Sequence, residues 1–483
     1  MTPSSSALKQ KTIQGLLWGG LSTLFQQALN LLFGIVLARV LTQEDYGIIG
    51  MLTIFSLIAS TLQDSGFVSA LGNKKEVSQA DYNAVFWTSL GIGSSLYLLL
   101  FFAAPWIADF YRTPELIPLS RYLFLGFLIG STGVAHNAYL FRNLKVKERA
   151  VSMTMGVLVS GIAGIILALN GFSYWGLATQ NVLYIAVYTG MIWWFSGFRP
   201  SFQFDFRPIK SLFAFSSNVL FSNILNHINN NVLYIFLGRF YQKADVGTFT
   251  QANKWSTMSQ AVVASMSHSF AQPLLADLAE DKDRQVRVFS KLFAFVCFVT
   301  FPALFCLSIS AKELITIAIT DKWQESALLL SILAVGCAFL PLTNLFSNAI
   351  LSKGNSRTYL YNILGLGLVQ LLLIALFRHA DIHSLALIVT GINIGWMFVW
   401  QYFANRLLGV GYIRLLGILG QYMLPALIAA LVAFYIGNFI GSVYLRFLVK
   451  IALMLASYLV LLFLSKSVIL QELISFLKEK RSK

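Results

Sequence analysis

Charged residues are scarce in this sequence. Asp, Glu, Lys and Arg make up only 11% of its 483 residues, whereas 57% are hydrophobic and 14% are aromatic. An average soluble domain is about 25% charged, so this composition excludes an ordinary soluble protein. Acidic residues are scarcer than basic ones: the sequence has 20 acidic and 35 basic residues, which gives a formal net charge of +15.

Cysteine and catalytic motifs are also nearly absent. The three cysteines, Cys297, Cys306 and Cys337, lie within hydrophobic runs without metal-ligand spacing, so we predict neither a disulfide framework nor a metal site. No nucleotide-binding loop, serine-hydrolase motif or zinc-protease motif occurs, and polar connections of about 15 to 20 residues are too short for a soluble catalytic domain. The sequence therefore predicts a protein that is not an enzyme and needs no cofactor.

Fourteen hydrophobic runs fill most of the chain. They extend over residues 13–38, 46–69, 82–108, 117–141, 150–169, 172–195, 211–237, 246–273, 288–310, 325–351, 358–377, 383–404, 415–436 and 443–465. Each is close to the roughly 20 residues that a helix needs to cross about 30 Å of hydrocarbon. The pattern predicts an all-α polytopic membrane protein with about 14 transmembrane helices. The first run lacks a cleavage pattern and is predicted to be retained.

Basic residues concentrate in alternate connections. The two chain ends and the connections near residues 74–75, 142–149, 199–210, 282–291, 353–357 and 406–414 hold 24 of the 35 lysines and arginines. Because connections rich in Lys and Arg stay in the cytoplasm, both termini are predicted to be cytoplasmic. The positive face suits a bilayer with anionic headgroups, and no nucleic-acid motif accompanies it, so we predict no nucleic-acid partner.

One short connection occurs twice, as LARVLTQEDYG at 37–47 and as LGRFYQKADVG at 237–247. The aligned pairs are Arg39 with Arg239, Asp45 with Asp245, and Gly47 with Gly247. The two copies join runs that cross in the same direction, as in transporters built from parallel six-helix repeats. In these two corners each aspartate is predicted to cap the next helix, and each arginine to reach the headgroups or pair with acids. A direct ligand role for Arg39 is the alternative.

The repeat divides the chain into predicted parts. They are an N-terminal lobe at 1–197, a cytoplasmic linker at 198–210, a C-terminal lobe at 211–408, a C-terminal helical hairpin at 409–466 and a basic cytoplasmic tail at 467–483. The predicted fold is therefore two six-helix lobes related by a parallel pseudo-repeat, followed by a hairpin.

Polar side chains inside the runs form stripes at helical spacing. Such residues normally face a protein interior or a watery cavity. The candidate substrate-binding residues are Gln27, Asn30, Asn226, His227, Asn230, Asn253, Lys254, Thr257 and Gln260. Amides and hydroxyls suit sugars and Lys254 suits an anionic group, whereas the alternative is that these side chains join neighbouring helices. Asp64 is the candidate for a coupling proton or cation, with a helix-end or loop-pairing role as its alternative.

Five segments carry a family resemblance. They are IVLARVLTQEDYGIIGM, DSGFVSALGNKKEVSQADYNAVFW, FLGRFYQKADVGTFTQANKW, SHSFAQPLLADLAEDKDR and FPALFCLSISAKELITIAITDKW. In this order they resemble the polysaccharide transporter family, which includes Wzx-like flippases. That family belongs to the multidrug, oligosaccharidyl-lipid and polysaccharide exporter superfamily. Many relatives carry more basic residues in their lobes, whereas Lys254 is taken here as the one basic residue in the middle of a run.

The resemblance implies a twelve-helix, two-lobe body with an accessory hairpin at 409–466. It also implies that this body moves a polyprenyl-diphosphate-linked glycan from the cytoplasmic to the outer leaflet by alternating access. It also implies a role in lipopolysaccharide O-antigen, capsule or exopolysaccharide synthesis at the bacterial cytoplasmic (inner) membrane, with a polysaccharide polymerase or assembly proteins as further partners. A multidrug or other small-molecule exporter of the same superfamily is the alternative, and it would need an aromatic, acid-lined pocket.

Overall fold

The computed structural model describes residues 25–64, 67–74, 76–202, 207–268 and 281–481. Within these ranges, backbone alone is described at 63–64, 69–70, 73, 207–220, 222, 261–268, 282 and 476–481. The regular structure of the described chain is helical throughout.

The described helices follow one another through short connections. In chain order they are α1 Phe25–Val40, α2 Gln43–Asp64, α3 Phe67–Asn73, α4 Gln79–Tyr111, α5 Leu116–Leu123, α6 Leu125–Ser131, α7 Val134–Arg142, α8 Val146–Leu169, α9 Tyr174–Ser196, α10 Arg207–Phe240, α11 Lys243–His268, α12 Lys282–Ile309, α13 Ala311–Ile319, α14 Gln324–Cys337, α15 Leu340–Ser352, α16 Ser356–Leu376, α17 Ile382–Leu408, α18 Tyr412–Asn438, α19 Val443–Leu464 and α20 Val468–Arg481. One turn of 3-10 helix, Asp321–Trp323, precedes α14.

Each predicted run overlaps one helix or one interrupted helix. Among the described residues, nine helical stretches are long and apolar enough to cross a membrane, and a tenth is added if the bent stretch α5 to α7 counts as one span. The predicted all-α, multi-span architecture is confirmed. The count of fourteen spans stays a prediction, because several helices, α10 and α11 among them, do not meet that test of length and apolarity.

Two of the predicted runs are broken helices. The run at 117–141 is divided into α5, α6 and α7, and it bends by 44° between Leu116–Ser131 and Val134–Arg142. The run at 325–351 is interrupted between α14 and α15, where Pro341 occupies the first turn of the new helix. Proline cannot donate the backbone hydrogen bond of a helix interior, so a helix start is the position that tolerates it.

By their contacts the residues form two compact units, Met1–Gly247 and Thr248–Lys483. In the first unit, α8 packs along α9, and α10 packs against α2 and α4. Glycines allow the α8–α9 approach, since a Cβ at Gly176 would lie 3.0 Å from the carbonyl oxygen of Gly164. The packing of α10 on α2 explains why the first unit extends as far as Gly247.

Basic side chains hold together one end of the first unit. Arg142 Nη1 donates to the carbonyl oxygens of Leu71 at 2.8 Å and Lys74 at 2.5 Å. Lys74 Nζ lies 2.7 Å from Asp81 Oδ1, and Lys145 Nζ donates to the carbonyl oxygen of Phe195 at 3.2 Å. The charge distribution predicts that the connections carrying these residues lie on one side of the membrane, and the structure brings the residues to one end of the unit.

In the second unit the hairpin α18–α19 packs on α12. The Tyr458 hydroxyl donates to the carbonyl oxygen of Phe298 at 3.1 Å, and Ser467 Oγ donates to the Tyr422 hydroxyl at 3.2 Å. The segment predicted as a basic tail contains α20, and Lys291 of α12 lies 2.8 Å from the Glu472 carboxylate. The hairpin therefore packs against the rest of this unit.

Candidate functional site

The polar residues of α10 divide between an accessible and a buried side. Asn230 is exposed and Asn226 and His227 are half-buried, whereas Asn229 and Asn231 are buried. Asn231 Nδ2 donates to the carbonyl oxygen of His227 at 2.9 Å. The candidate residues on α10 therefore lie on its more accessible side. The two buried amides were missed by the sequence analysis, and they serve packing within the unit.

The stripe on α11 is centred on Lys254. The Lys254 side chain is half-buried, and its ammonium group makes no ion pair or hydrogen bond with any residue that the structure describes. Thr257 is exposed, and its hydroxyl donates to the carbonyl oxygens of Asn253 at 2.7 Å and Lys254 at 3.1 Å. Gln260 is half-buried on the following turn.

A cation without a protein partner is costly to remove from water unless an anion arrives to pair with it. An ammonium group carries three N–H donors and suits phosphate oxygens as a point charge. Among the candidate residues, Lys254 is thus the one whose surroundings favour an anionic ligand from outside the described chain.

The remaining candidates lie on α1 and α2. Gln27 is half-buried and Asn30 is exposed on α1, and both belong to the first unit together with Asn226 of α10. Lys254 and its neighbours from Thr248 onward belong to the second unit. Asp64 is the last residue of α2, and its side chain lies outside the described part of the structure.

Lys254 is not the only basic residue inside a predicted run, which corrects the sequence analysis. Lys450 lies within the run at 443–465 and is 2% exposed, and it is paired with Glu313 of α13 at 2.8 Å. Lys450 lies seven residues after Val443, the first residue of α19, so the sequence already indicated a cation inside this helix and not at its end. Lys450 therefore differs from Lys254, because a cation that is paired within the protein needs no ligand.

The first corner is built around Asp45. Thr42 donates its backbone N–H and its hydroxyl to Asp45 Oδ2, both at 2.8 Å, and the backbone N–H of Asp45 donates back to Thr42 Oγ1 at 3.2 Å. This reciprocal arrangement is a capping box at the start of α2, and its T-x-x-D spacing was readable in the sequence. The Ser173 hydroxyl donates to the other carboxylate oxygen. Arg39 is exposed at the end of α1.

The second corner has a similar cap and additional anchors. The backbone N–H of Gln242 donates to Asp245 Oδ2 at 3.1 Å. Arg239 Nη1 donates to the carbonyl oxygen of Phe110 at 2.5 Å, and Lys243 Nζ lies 2.9 Å from Glu115 Oε1. The hydrogen bond from Lys243 holds the pKa of the Glu115 carboxyl below its usual range.

The two corners touch each other through their glycines. A Cβ at Gly47 would collide with the backbone carbonyl of Lys243, and a Cβ at Gly247 would collide with the backbone carbonyl of Gln43. The contact is reciprocal, since these Cβ atoms would also lie 3.3 Å and 3.0 Å from the backbone nitrogen of the other glycine. Both positions therefore require glycine for close approach of two main chains.

Comparisons with known proteins agree with this architecture. The chain is 24% identical over 335 residues to the lipopolysaccharide biosynthesis protein WzxC of Escherichia coli (strain K12), covering 68% of this chain and 67% of that protein. It is 24% identical over 342 residues to the succinoglycan biosynthesis transport protein ExoT of Rhizobium meliloti (strain 1021), covering 70% and 68%. The solved structure of the lipid II flippase MurJ in an inward closed conformation superposes with a TM-score of 0.76 at 15% identity, covering 95% of this chain and all of that chain.

The matched region of the family model includes both corners and Lys254. The model described as "Polysaccharide biosynthesis protein" matches residues 36–328, which is more than half of the chain. The resemblance carried by the corner segments is thereby confirmed, and the chain belongs to this family of polysaccharide biosynthesis proteins.

Proposed function

We propose that this protein is a flippase that moves a polyprenyl-diphosphate-linked oligosaccharide from the cytoplasmic to the outer leaflet of the bacterial cytoplasmic membrane. The observation that carries the proposal is the ammonium group of Lys254, which has no partner among the described residues of a polysaccharide biosynthesis family member. The names of its relatives support it, since ExoT is called a transport protein and MurJ a lipid II flippase. We accordingly infer transport and not catalysis.

In this proposal Lys254 receives the diphosphate through charge-assisted hydrogen bonds. Asn253, Thr257 and Gln260 offer amide and hydroxyl groups to the sugar, and these neutral groups can exchange hydrogen bonds with water as the glycan moves. Further proposed glycan contacts are Asn226, His227 and Asn230 of α10 and Gln27 and Asn30 of α1. Asp64 is kept as the proposed coupling residue.

The proposed cycle is alternating access by two lobes, residues 1–197 and 211–408, joined by the linker 198–210. Parallel repeats in transporters rock around a site near the middle of the membrane, which suits the position of Lys254 eleven residues into the 26-residue helix α11. The hairpin at 409–466 is proposed to be accessory to these lobes. Polysaccharide polymerases or assembly proteins are the proposed partners after flipping.

Replacing Lys254 by alanine is expected to weaken glycan-lipid transport strongly. Loss of a charge-assisted contact costs about 1.5–3 kcal/mol, which corresponds to a ten- to hundredfold loss in apparent affinity. Lys254→Arg should restore part of the activity, because charge matters more than shape at a hydrated diphosphate. The measurement is flipping of lipid-linked oligosaccharide in proteoliposomes, after folded protein has been verified by size-exclusion chromatography.

The matched control is Lys291→Ala, which removes a positive charge from a side chain that is 63% exposed. This variant should transport the glycan lipid at the wild-type rate. A fully active Lys254→Ala variant would exclude Lys254 from the site and leave the function standing. If the wild-type protein flipped no glycan lipid but exported a cationic drug, the flippase assignment itself would be overturned in favour of a small-molecule exporter.

The proposed orientation, with both termini in the cytoplasm, predicts opposite labelling at two glutamates. Glu44 in the first corner and Glu76 between α3 and α4 are both exposed. In a variant without the three native cysteines, Glu44→Cys should react with a membrane-impermeant thiol reagent from outside the cell. Glu76→Cys should react only after the cells are opened. The reverse pattern would show that the charge asymmetry was assigned to the wrong side.

A further inference from the structure

A cavity of about 600 Å³ lies in the second unit, away from the polar stripe of α11. It is bounded by the junction of α12 and α13, by the first two turns of α14 and by the hairpin α18–α19. Its charged lining consists of Lys312, Glu313, Glu325, Arg446 and Lys450. Three cations and two carboxylates around one space indicate a ligand that carries both signs of charge.

The buried part of this lining is an ion pair. Glu313 and Lys450 are each 2% exposed, and Lys450 Nζ lies 2.8 Å from Glu313 Oε1. Lys450 Nζ also donates to the carbonyl oxygen of Ile309 at 3.0 Å and lies 5.0 Å from the centre of the Phe434 ring. Lys450 is therefore satisfied by the protein and neutralises one side of the Glu313 carboxylate.

The other groups keep unused hydrogen-bonding capacity. Glu313 Oε2 is buried and has no hydrogen-bond partner among the residues that the structure describes. Arg446 uses Nε on the carbonyl oxygen of Ile440 at 2.9 Å, while its Nη1 lies 3.9 Å from Glu313 Oε1. Lys312 is exposed at the cavity and makes no hydrogen bond or ion pair within the described ranges. The cavity thus offers Lys312 and Arg446 to an anion. Its accessible carboxylate is that of Glu325, which is 71% exposed, whereas Glu313 is enclosed.

Aromatic side chains place this cavity at the edge of the membrane. Around the turn between α18 and α19, Tyr435 is 66% exposed, Phe439 is 91% exposed and Tyr444 is 68% exposed. Tyrosine concentrates at the level of the lipid headgroups because its ring is amphipathic, so Tyr435 and Tyr444 mark that level. The helix faces beyond them expose leucines such as Leu448, as expected next to acyl chains. A ligand in the cavity would therefore be at headgroup depth.

We propose that this cavity binds the headgroup of an ethanolamine phospholipid. The phosphate would pair with Lys312 and Arg446, and the primary ammonium would donate to the carboxylate of Glu325, which is accessible from the cavity. This chemistry discriminates between lipids, because a primary ammonium has N–H donors whereas a choline ammonium has none. A glycerol headgroup supplies the phosphate without a cation for the carboxylate. The proposal concerns lipid binding, and it does not rest on the proposed glycan transport.

The test is lipid-dependent thermal stability of the purified, delipidated full-length protein in detergent. A ligand that binds only the folded state raises the unfolding temperature with its concentration. Phosphatidylethanolamine should raise it saturably, whereas phosphatidylcholine and phosphatidylglycerol with the same acyl chains should have at most a small effect. Lys312→Glu should raise at least tenfold the concentration of ethanolamine lipid needed for stabilisation. This shift is measured relative to the lipid-free unfolding temperature of the same variant, because Lys312 also interacts with the carboxylate of Asp321.

Arg414→Glu is the matched control, because Arg414 is exposed and does not line the cavity. It should respond to phosphatidylethanolamine as the wild type does. Equal stabilisation by phosphatidylcholine, or an unchanged response of Lys312→Glu, would overturn the proposal. Equal stabilisation by inorganic phosphate would identify a soluble-anion site and would also overturn the lipid assignment.

Discussion

Lys450→Met is expected to destabilise the second unit by about 3–5 kcal/mol, because it removes the cation that is hydrogen-bonded to the buried Glu313 carboxylate. The remaining cation, the guanidinium of Arg446, lies 3.9 Å from Glu313 Oε1 and is too far away for a hydrogen bond. Both side chains are 2% exposed, so water cannot replace the lost partner without opening the packing of α13 on α19. A change of this size is a large part of the about 5–15 kcal/mol that stabilises a typical protein. The measurement is the unfolding temperature and the folded yield of the purified variant in detergent.

Two further variants separate the charge effect from simple loss of packing. Lys450→Met combined with Glu313→Gln removes both charges and should recover a substantial part of the stability, since uncharged replacements of a buried pair are often tolerated. Lys291→Met breaks the exposed pair with Glu472 and should cost at most about 1 kcal/mol. Unchanged stability of Lys450→Met would mean that the pair is solvated and does not hold the hairpin.

Gly247→Ala and Gly47→Ala are each expected to lower the folded yield. The added methyl group meets a backbone carbonyl of the other corner, which cannot rotate away as a side chain could. Overpacking of this kind typically costs about 1–3 kcal/mol and more where main chains must separate. Alanine is otherwise about 1 kcal/mol better than glycine in a helix, so a net loss can be attributed to the contact between the corners. Fluorescence-detected size exclusion and thermal unfolding would measure it.

Gly190→Ala in α9 and Gly391→Ala in α17 are matched controls, because an added Cβ meets no atom within 4 Å at either position. Both should fold at least as well as the wild type. The double variant of the two corner glycines should cost less than the sum of the single variants, since the first substitution already separates the corners. Corner variants that behave like these controls would show that the main chains do not meet.

Local sequence patterns were sufficient for much of the architecture. Hydrophobic runs predicted the positions of the helices because a bilayer demands about 20 apolar residues wherever a chain crosses it. The cap at Asp45 was readable too, because the capping partner Thr42 is three residues away and the contact forms within one turn. The same kind of reasoning failed at Lys450, whose role depends on a glutamate 137 residues earlier in the chain.

The sequence by itself determined that this chain is a multi-span helical membrane protein with a repeated corner, because hydrophobicity and capping act within a few residues. Only the tertiary structure decided which lysines have a counter-ion within the protein. Lys450 and Lys254 both lie in predicted membrane helices, yet one meets Glu313 and the other meets no counter-ion among the described residues. The same holds for Gly47 and Gly247. No other residue fits at these two positions, because folding brings together two main-chain segments that are 200 residues apart in the sequence. Burial and pairing are properties of the neighbours that a residue acquires on folding, and a single sequence does not specify those neighbours.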